Sequence, residues 1–117
     1  MPVETDCLII GSGIAGAAAA LRLARDTQRQ VALVTRADDP EETNTLYAQG
    51  GIVARGTRDS PELLVEDVLR AGAGLSLPAA ARMLADEGPE LVNQLLLEQV
   101  GVNFDQDAEG SLCFTRE

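Results

Sequence analysis

Residues 7–10, Cys-Leu-Ile-Ile, form an uninterrupted apolar run between polar Glu4–Asp6 and Gly11. A run this short and this apolar predicts a strand from Asp6 to Ile10, covered on both faces as parallel strands are. An Ala-rich stretch follows, and Ala17–Ala20, Leu21 and Leu23 favour a helix from Ala15 to about Arg25. The polar segment Asp26–Gln30 is a connection, and Val31–Thr35 is a second buried strand. Together these make a βαβ unit of about thirty residues.

From Arg36 to Gly51 the apolar periodicity disappears and a loop is expected. Ile52-Val53-Ala54 is a candidate short strand. Ser60-Pro61-Glu62 is a helix start, with Ser as N-cap, Pro in the first turn and Glu at the positive end of the dipole. That helix runs to about Ala71, where Gly72 and Gly74 end it. Another begins near Pro78, and Gly88-Pro89 is expected to break it. Pro89 then opens a further helix with Leu91, Val92, Leu95, Leu96 and Val100 at helical spacing. Gly101 caps it, and a weak hairpin turning around Asp107–Gly110 closes the chain. The order is strand, helix, strand, then mostly helices, whereas a doubly wound sheet wants more parallel strands than two. The expectation is an N-terminal fragment of a longer protein, and the alternative is a small α+β domain.

Composition narrows the function. The 117 residues suffice for one small domain. With 3 % aromatics the core must be aliphatic, and a net charge of −10 disfavours nucleic-acid and anionic-membrane partners. No apolar run approaches the roughly 20 residues of a membrane span, and no signal peptide is expected from the first residues. Cys7 and Cys113 make no disulfide framework, so a reduced, cytoplasmic chain is expected, with Cys7 a small core hydrophobe. The absence of histidine removes Ser-His triads and His-metal sites from this chain.

The chemistry sits in two Gly-rich stretches. Gly11-Ser12-Gly13-Ile14-Ala15-Gly16 is a G-x-G-x-x-G turn between a strand and a helix. Gly11 makes the tight turn, Gly13 admits a pyrophosphate, and Gly16 lets helix and strand pack closely. The helix N-terminus adds N–H donors and a positive dipole end. The acid that usually takes a ribose hydroxyl, about 20 residues further on, is missing. Thr35-Arg36 stands there instead, and Asp38 and Asp39 come late. Arg36 can face a 2′-phosphate, as in an NADP site, or simply be solvated.

The second stretch is Thr43-Asn44-Thr45-Leu46-Tyr47-Ala48-Gln49-Gly50-Gly51-Ile52. With Thr35-Arg36 before it, the chain resembles the succinate dehydrogenase/fumarate reductase flavoprotein superfamily over its whole length, and within it the L-aspartate oxidases. In that family a Ser or Thr and a basic residue end the second strand, and a Ser/Thr-x-Thr-x-x-Ala-Gln-Gly-Gly-Ile loop follows. Gly50 and Gly51 let backbone lie against a flat ring, and Thr43, Asn44, Thr45 and Gln49 can hydrogen-bond phosphate and ring edges. The segment Glu66–Leu75 is similar to a structural stretch of the family.

The resemblance implies the N-terminal part of a Rossmann-like FAD-binding α/β domain over 1–117, without capping and C-terminal helical domains. The FAD site would comprise Gly11–Gly16, Thr35, Arg36 and Thr43–Gly51. Where membrane-bound members tether FAD through a His, this chain has Asn44, which implies non-covalent FAD. The ending Phe114-Thr115-Arg116-Glu117 is similar to the oxidases' Leu-Thr-Arg-Glu, whose Glu orients the substrate; by resemblance Glu117 does so here, while residues alone favour a solvated side chain. The implied activity is oxidation of L-aspartate to iminoaspartate, by hydride transfer from Cα to flavin N5, with O2 or fumarate as electron acceptor. This is the first step of de novo NAD synthesis, with quinolinate synthase as an implied partner. The chain alone is expected not to catalyse. A succinate dehydrogenase or fumarate reductase flavoprotein, a non-catalytic nucleotide-binding fragment and an NADP reductase fragment are the alternatives. Marginal stability and exposed apolar surface are expected.

Overall fold

A computed structural model describes residues 2–25 and 28–115. The chain divides into two compact units, Met1–Gly51 and Ile52–Glu117.

In the first unit, β1 (Cys7–Ile10) leads through a Gly-rich turn into α1 (Ile14–Leu23), and β2 (Val31–Val34) follows. β1 and β2 pair in parallel, Cys7 opposite Val31 and Ile10 opposite Val34. Backbone bonds extend the ladder beyond both ends, from Asp6 N–H to the Gln30 carbonyl (2.9 Å) and from Gly11 N–H to the Val34 carbonyl (2.8 Å). The Asp6 carboxylate accepts from Gln30 N–H at 2.8 Å. It holds the incoming chain, so that the strand proper starts at Cys7 rather than Asp6. α1 packs on the sheet with Gly16 over Ile9: a Cβ at Gly16 would lie 3.4 Å from the Ile9 side chain. Side chains alternate across a strand, so Leu8 and Ile10 point away from α1, and they are 57 % and 83 % exposed. The expectation of strands buried on both faces is therefore corrected. Among the described residues of this unit, α1 covers one face of the two-stranded sheet.

The second unit is helical. α2 (Pro61–Ala71) starts as the sequence predicts, with the Ser60 hydroxyl accepting from Leu63 N–H at 3.3 Å. Its end is tight: the Ser76 hydroxyl donates to the Val68 carbonyl, and a Cβ at Gly72 would lie 1.9 Å from that oxygen atom of Ser76. Ala73 next to it has φ +46°. α3 (Pro78–Leu91) runs straight through Gly88-Pro89 into a π-helical segment, Val92–Val100. The expected break at Pro89 is thus corrected. Proline has no N–H for the carbonyl four residues back, but that carbonyl, of Ala85, accepts from the Arg55 guanidinium at 2.5 Å instead. With the lost bond replaced, nothing forces the helix to stop. Gly101, at φ +73°, ends it as predicted, and Val102 N–H reaches back to the Leu96 carbonyl at 2.8 Å.

α3 packs against α2 and the π-helical segment. Its Ala81 and Ala85 are the only buried side chains among the described residues. Arg82 of α3 pairs with Glu62 of α2 and with Asp86, both at 2.9 Å. Ile52–Ala54 forms no strand, because it pairs with no neighbour among the described residues. The closing hairpin shrinks to one antiparallel bridge, Gln106 with Leu112, around a turn in which the Asp107 carboxylate accepts from Glu109 and Ser111 N–H.

Candidate functional site

The turn after β1 is shaped by glycine where it must be. Gly11 has φ +108°, a conformation L side chains rarely adopt. A Cβ on Gly16 would stand 1.9 Å from the Gly11 carbonyl oxygen, so only glycine there lets α1 start this close to β1. A Cβ on Gly13 would stand 3.3 Å from the Thr45 hydroxyl. The loop that carries Thr45 therefore lies close against the turn at Gly13. That loop caps the helix: Ile14 N–H, one of the orphan donors of the first turn, donates to the Thr45 hydroxyl at 3.0 Å.

The loop is closed on itself. Leu46 N–H donates to the Thr43 carbonyl and Ala48 N–H to that of Thr45. The Tyr47 hydroxyl donates to the Glu42 carboxylate, 2.8 and 2.9 Å from its two oxygens. That bond, helped by slight desolvation, holds the phenol above its ordinary pKa.

Between turn, strand end and loop lies an open cleft of about 420 Å³. It is lined by Ile10, Gly11, Ser12, Gly13, Thr35, Arg36, Glu42, Thr43, Asn44, Thr45 and Tyr47. Three segments, 10–13, 35–36 and 42–47, thus meet at one place. The Ser12 hydroxyl is buried here and has no hydrogen-bond partner, an unmet donor and acceptor at the mouth of a helix N-terminus. Arg36 is the one basic side chain of the lining, and Glu42 the one acid.

Not every predicted residue lies on this cleft. Ile14 and Gly16 act behind it, through the capping bond and the close packing already described, and Ala15 continues the helix. Leu46, Ala48, Gln49, Gly50 and Gly51 fall outside the lining and are exposed. At Gly50 and Gly51 a Cβ would meet nothing within 4 Å among the described residues. Glu117 lies outside the described residues. Sequence reasoning missed Glu42. Its only signals were its place next to the Thr43–Ile52 loop and its spacing of five from Tyr47. Among the described residues, no cluster of His, Cys, Asp or Glu could hold a metal ion, and no helix is long and apolar enough to cross a membrane.

A glycine fingerprint opening a helix, an unsatisfied buried hydroxyl beside it and a second loop folded against it define a dinucleotide-binding α/β domain. The family model for the FAD binding domain matches residues 6–117, and the chain belongs to this FAD-binding family. More particularly, it is similar to L-aspartate oxidases. It is 42 % identical to that of Streptomyces coelicolor over 98 % of this chain and 19 % of the relative. It is 44 % identical to that of Halobacterium salinarum over 97 % of this chain and 21 % of the relative. It is 41 % identical to the chloroplastic enzyme of Arabidopsis thaliana over 96 % of this chain and 17 % of the relative. The chain thus spans about a fifth of the length of these relatives. No solved structure matches it.

The residues fit FAD. The orphaned Ser12 hydroxyl and the α1 N-terminus offer a diphosphate donors, and the cleft beside them offers room.

Proposed function

We propose that this chain is the FAD-cradling, N-terminal part of an L-aspartate oxidase. The observation that carries the cofactor half is the Ser12 hydroxyl, buried and unpartnered in the glycine turn that lines the cleft. Identity of about two-fifths to L-aspartate oxidases over nearly the whole chain supports the substrate half, and favours aspartate over succinate.

Ser12 and the first-turn N–H groups bind the diphosphate, and Arg36 offsets its charge. Thr45 fixes the loop to α1 through Ile14 N–H. Asn44 lines the cleft where covalent relatives carry their tethering His, and an amide cannot make that bond, so the cofactor is held non-covalently. Gly50 and Gly51 leave open space for the ring system. When bound, FAD would supply the two-electron acceptor for oxidation of L-aspartate to iminoaspartate, with O2 or fumarate as the final electron acceptor. Glu117 orients the substrate by facing its ammonium group. The setting is cytoplasmic, in keeping with the free thiols of Cys7 and Cys113, and the iminoaspartate goes to quinolinate synthase in de novo NAD synthesis. The capping and C-terminal helical domains belong to the rest of the protein.

The test is an anaerobic visible spectrum of the FAD-loaded protein, produced from its complete reading frame, before and after L-aspartate, with succinate as control. Bleaching by aspartate alone is expected. Bleaching by succinate alone assigns the protein to the dehydrogenase side of the superfamily, and failure to take up FAD overturns the reading.

A further inference from the structure

The glycine fingerprint normally works with an acid at the end of the second strand, which accepts the hydroxyls of the adenosine ribose. That place holds Thr35-Arg36. The structure nevertheless brings one carboxylate into the same cleft, from another segment: Glu42 lines it together with Gly11–Gly13, Thr35 and Arg36. Asp38 and Asp39, nearer in sequence to the expected position, do not line it.

We propose that Glu42 is the ribose-recognising acid of this site, entering from the start of the loop instead of the end of β2, and that Tyr47 is its positioning residue. The proposal rests on the FAD reading above and goes beyond it in assigning the acceptor.

Three physical points carry it. An ionised carboxylate has about four lone-pair positions. The single Tyr47 proton, shared between the two oxygens, leaves capacity for a vicinal diol. The Tyr47 bond also fixes a side chain that would otherwise swing into solvent, and so reduces the ordering cost when ribose binds. Finally, a negative acceptor repels a phosphate on the 2′-hydroxyl. Arg36 alone would welcome that phosphate; Arg36 beside Glu42 selects the unphosphorylated ribose and separates this site from an NADP site.

The experiment is calorimetric titration of the full-length apoprotein with ADP and with 2′,3′-dideoxy-ADP. Loss of a charge-assisted pair of hydrogen bonds predicts that the unaltered protein prefers ADP by about tenfold or more. Glu42→Ala brings the two ligands to within about twofold of each other. Glu42→Gln, which keeps one acceptor and the side-chain volume, leaves an intermediate preference, and Tyr47→Phe lowers it severalfold. A merely structural role weakens both ligands equally and leaves their ratio unchanged; that result, or an unaltered protein that does not distinguish them, overturns the proposal. If FAD binds the unaltered protein while the ADP preference is insensitive to Glu42, this inference alone fails. If neither FAD nor ADP binds, the cofactor reading fails with it.

Discussion

The Arg55 guanidinium donates to the carbonyl of Ala85, the carbonyl that Pro89 leaves without its helical N–H. A cation from an irregular segment thereby stands in for a backbone donor inside α3. Ala85 is fully buried, so without Arg55 its carbonyl would be an unsatisfied polar group in the tightest part of the unit. Arg55→Met should cost about 1–3 kcal/mol in urea unfolding. In a Pro89→Ala background the helix supplies its own N–H, and the cost of Arg55→Met should fall to a fraction of that. Equal costs in the two backgrounds would show that the guanidinium bond and the proline are unrelated.

Two glycines of the fingerprint should respond differently to alanine. At Gly16 helix propensity favours alanine by about 1 kcal/mol, but a Cβ 1.9 Å from the Gly11 oxygen cannot be accommodated without moving α1. Sterics win, and Gly16→Ala should destabilise by about 1–3 kcal/mol or more. At Gly13 the obstacle is the Thr45 hydroxyl at 3.3 Å, which can give a little. Gly13→Ala should therefore leave the melting temperature nearly unchanged and weaken FAD binding. Melting curves and flavin titration of both variants separate the two roles.

Ala73 sits in the left-handed region at φ +46° without the freedom of glycine. Ala73→Gly should raise stability by about 0.5–1 kcal/mol, since relief of the Cβ clash outweighs the added freedom of the unfolded chain. Chemical denaturation reads the sign directly.

Two titrations have opposite signs. Tyr47 is the single tyrosine of the chain, and its bond to Glu42 raises its pKa. Its contribution is complete below the unfolded value of about 10 and is lost as pH rises through the folded one. Phenolate absorbance should therefore titrate above an ordinary tyrosine, and Glu42→Gln should bring it down. Glu62 is held below the usual carboxylate range, chiefly by its hydrogen bond from Arg82. Its contribution is present above the unfolded value and lost as pH falls through the depressed one. Arg82→Gln should flatten that acid limb in a pH series of melting curves.

Much of this was legible in the chain because local chemistry decided it. Ser60-Pro61 fixes a helix start whatever lies around it, Gly101 must end one, and the glycine turn followed by an Ala-rich stretch admits few alternatives. The misreadings are places where a distant group intervened. Nothing near Pro89 announces that Arg55 will take over the Ala85 carbonyl. Ile52-Val53 has strand composition but finds no partner. Glu42 looked like one more acid in an acidic chain until folding set it opposite the glycine turn. Strand burial fails for a related reason: an apolar run reports what a strand is suited to touch, while Leu8 and Ile10 stay 57 % and 83 % exposed.

Everything that lines the cleft is drawn from Ile10 to Tyr47. The loops that must close to build it are short, so the entropy of bringing its walls together is small. Chains are made from the N-terminus, and early segments fold as units while later ones are still being added. All the residues that line the cleft can thus be in place before the ribosome has delivered α2. On the proposed reading, cofactor loading would then accompany synthesis, and the ligand itself would stabilise a nascent sheet that has two strands among the described residues.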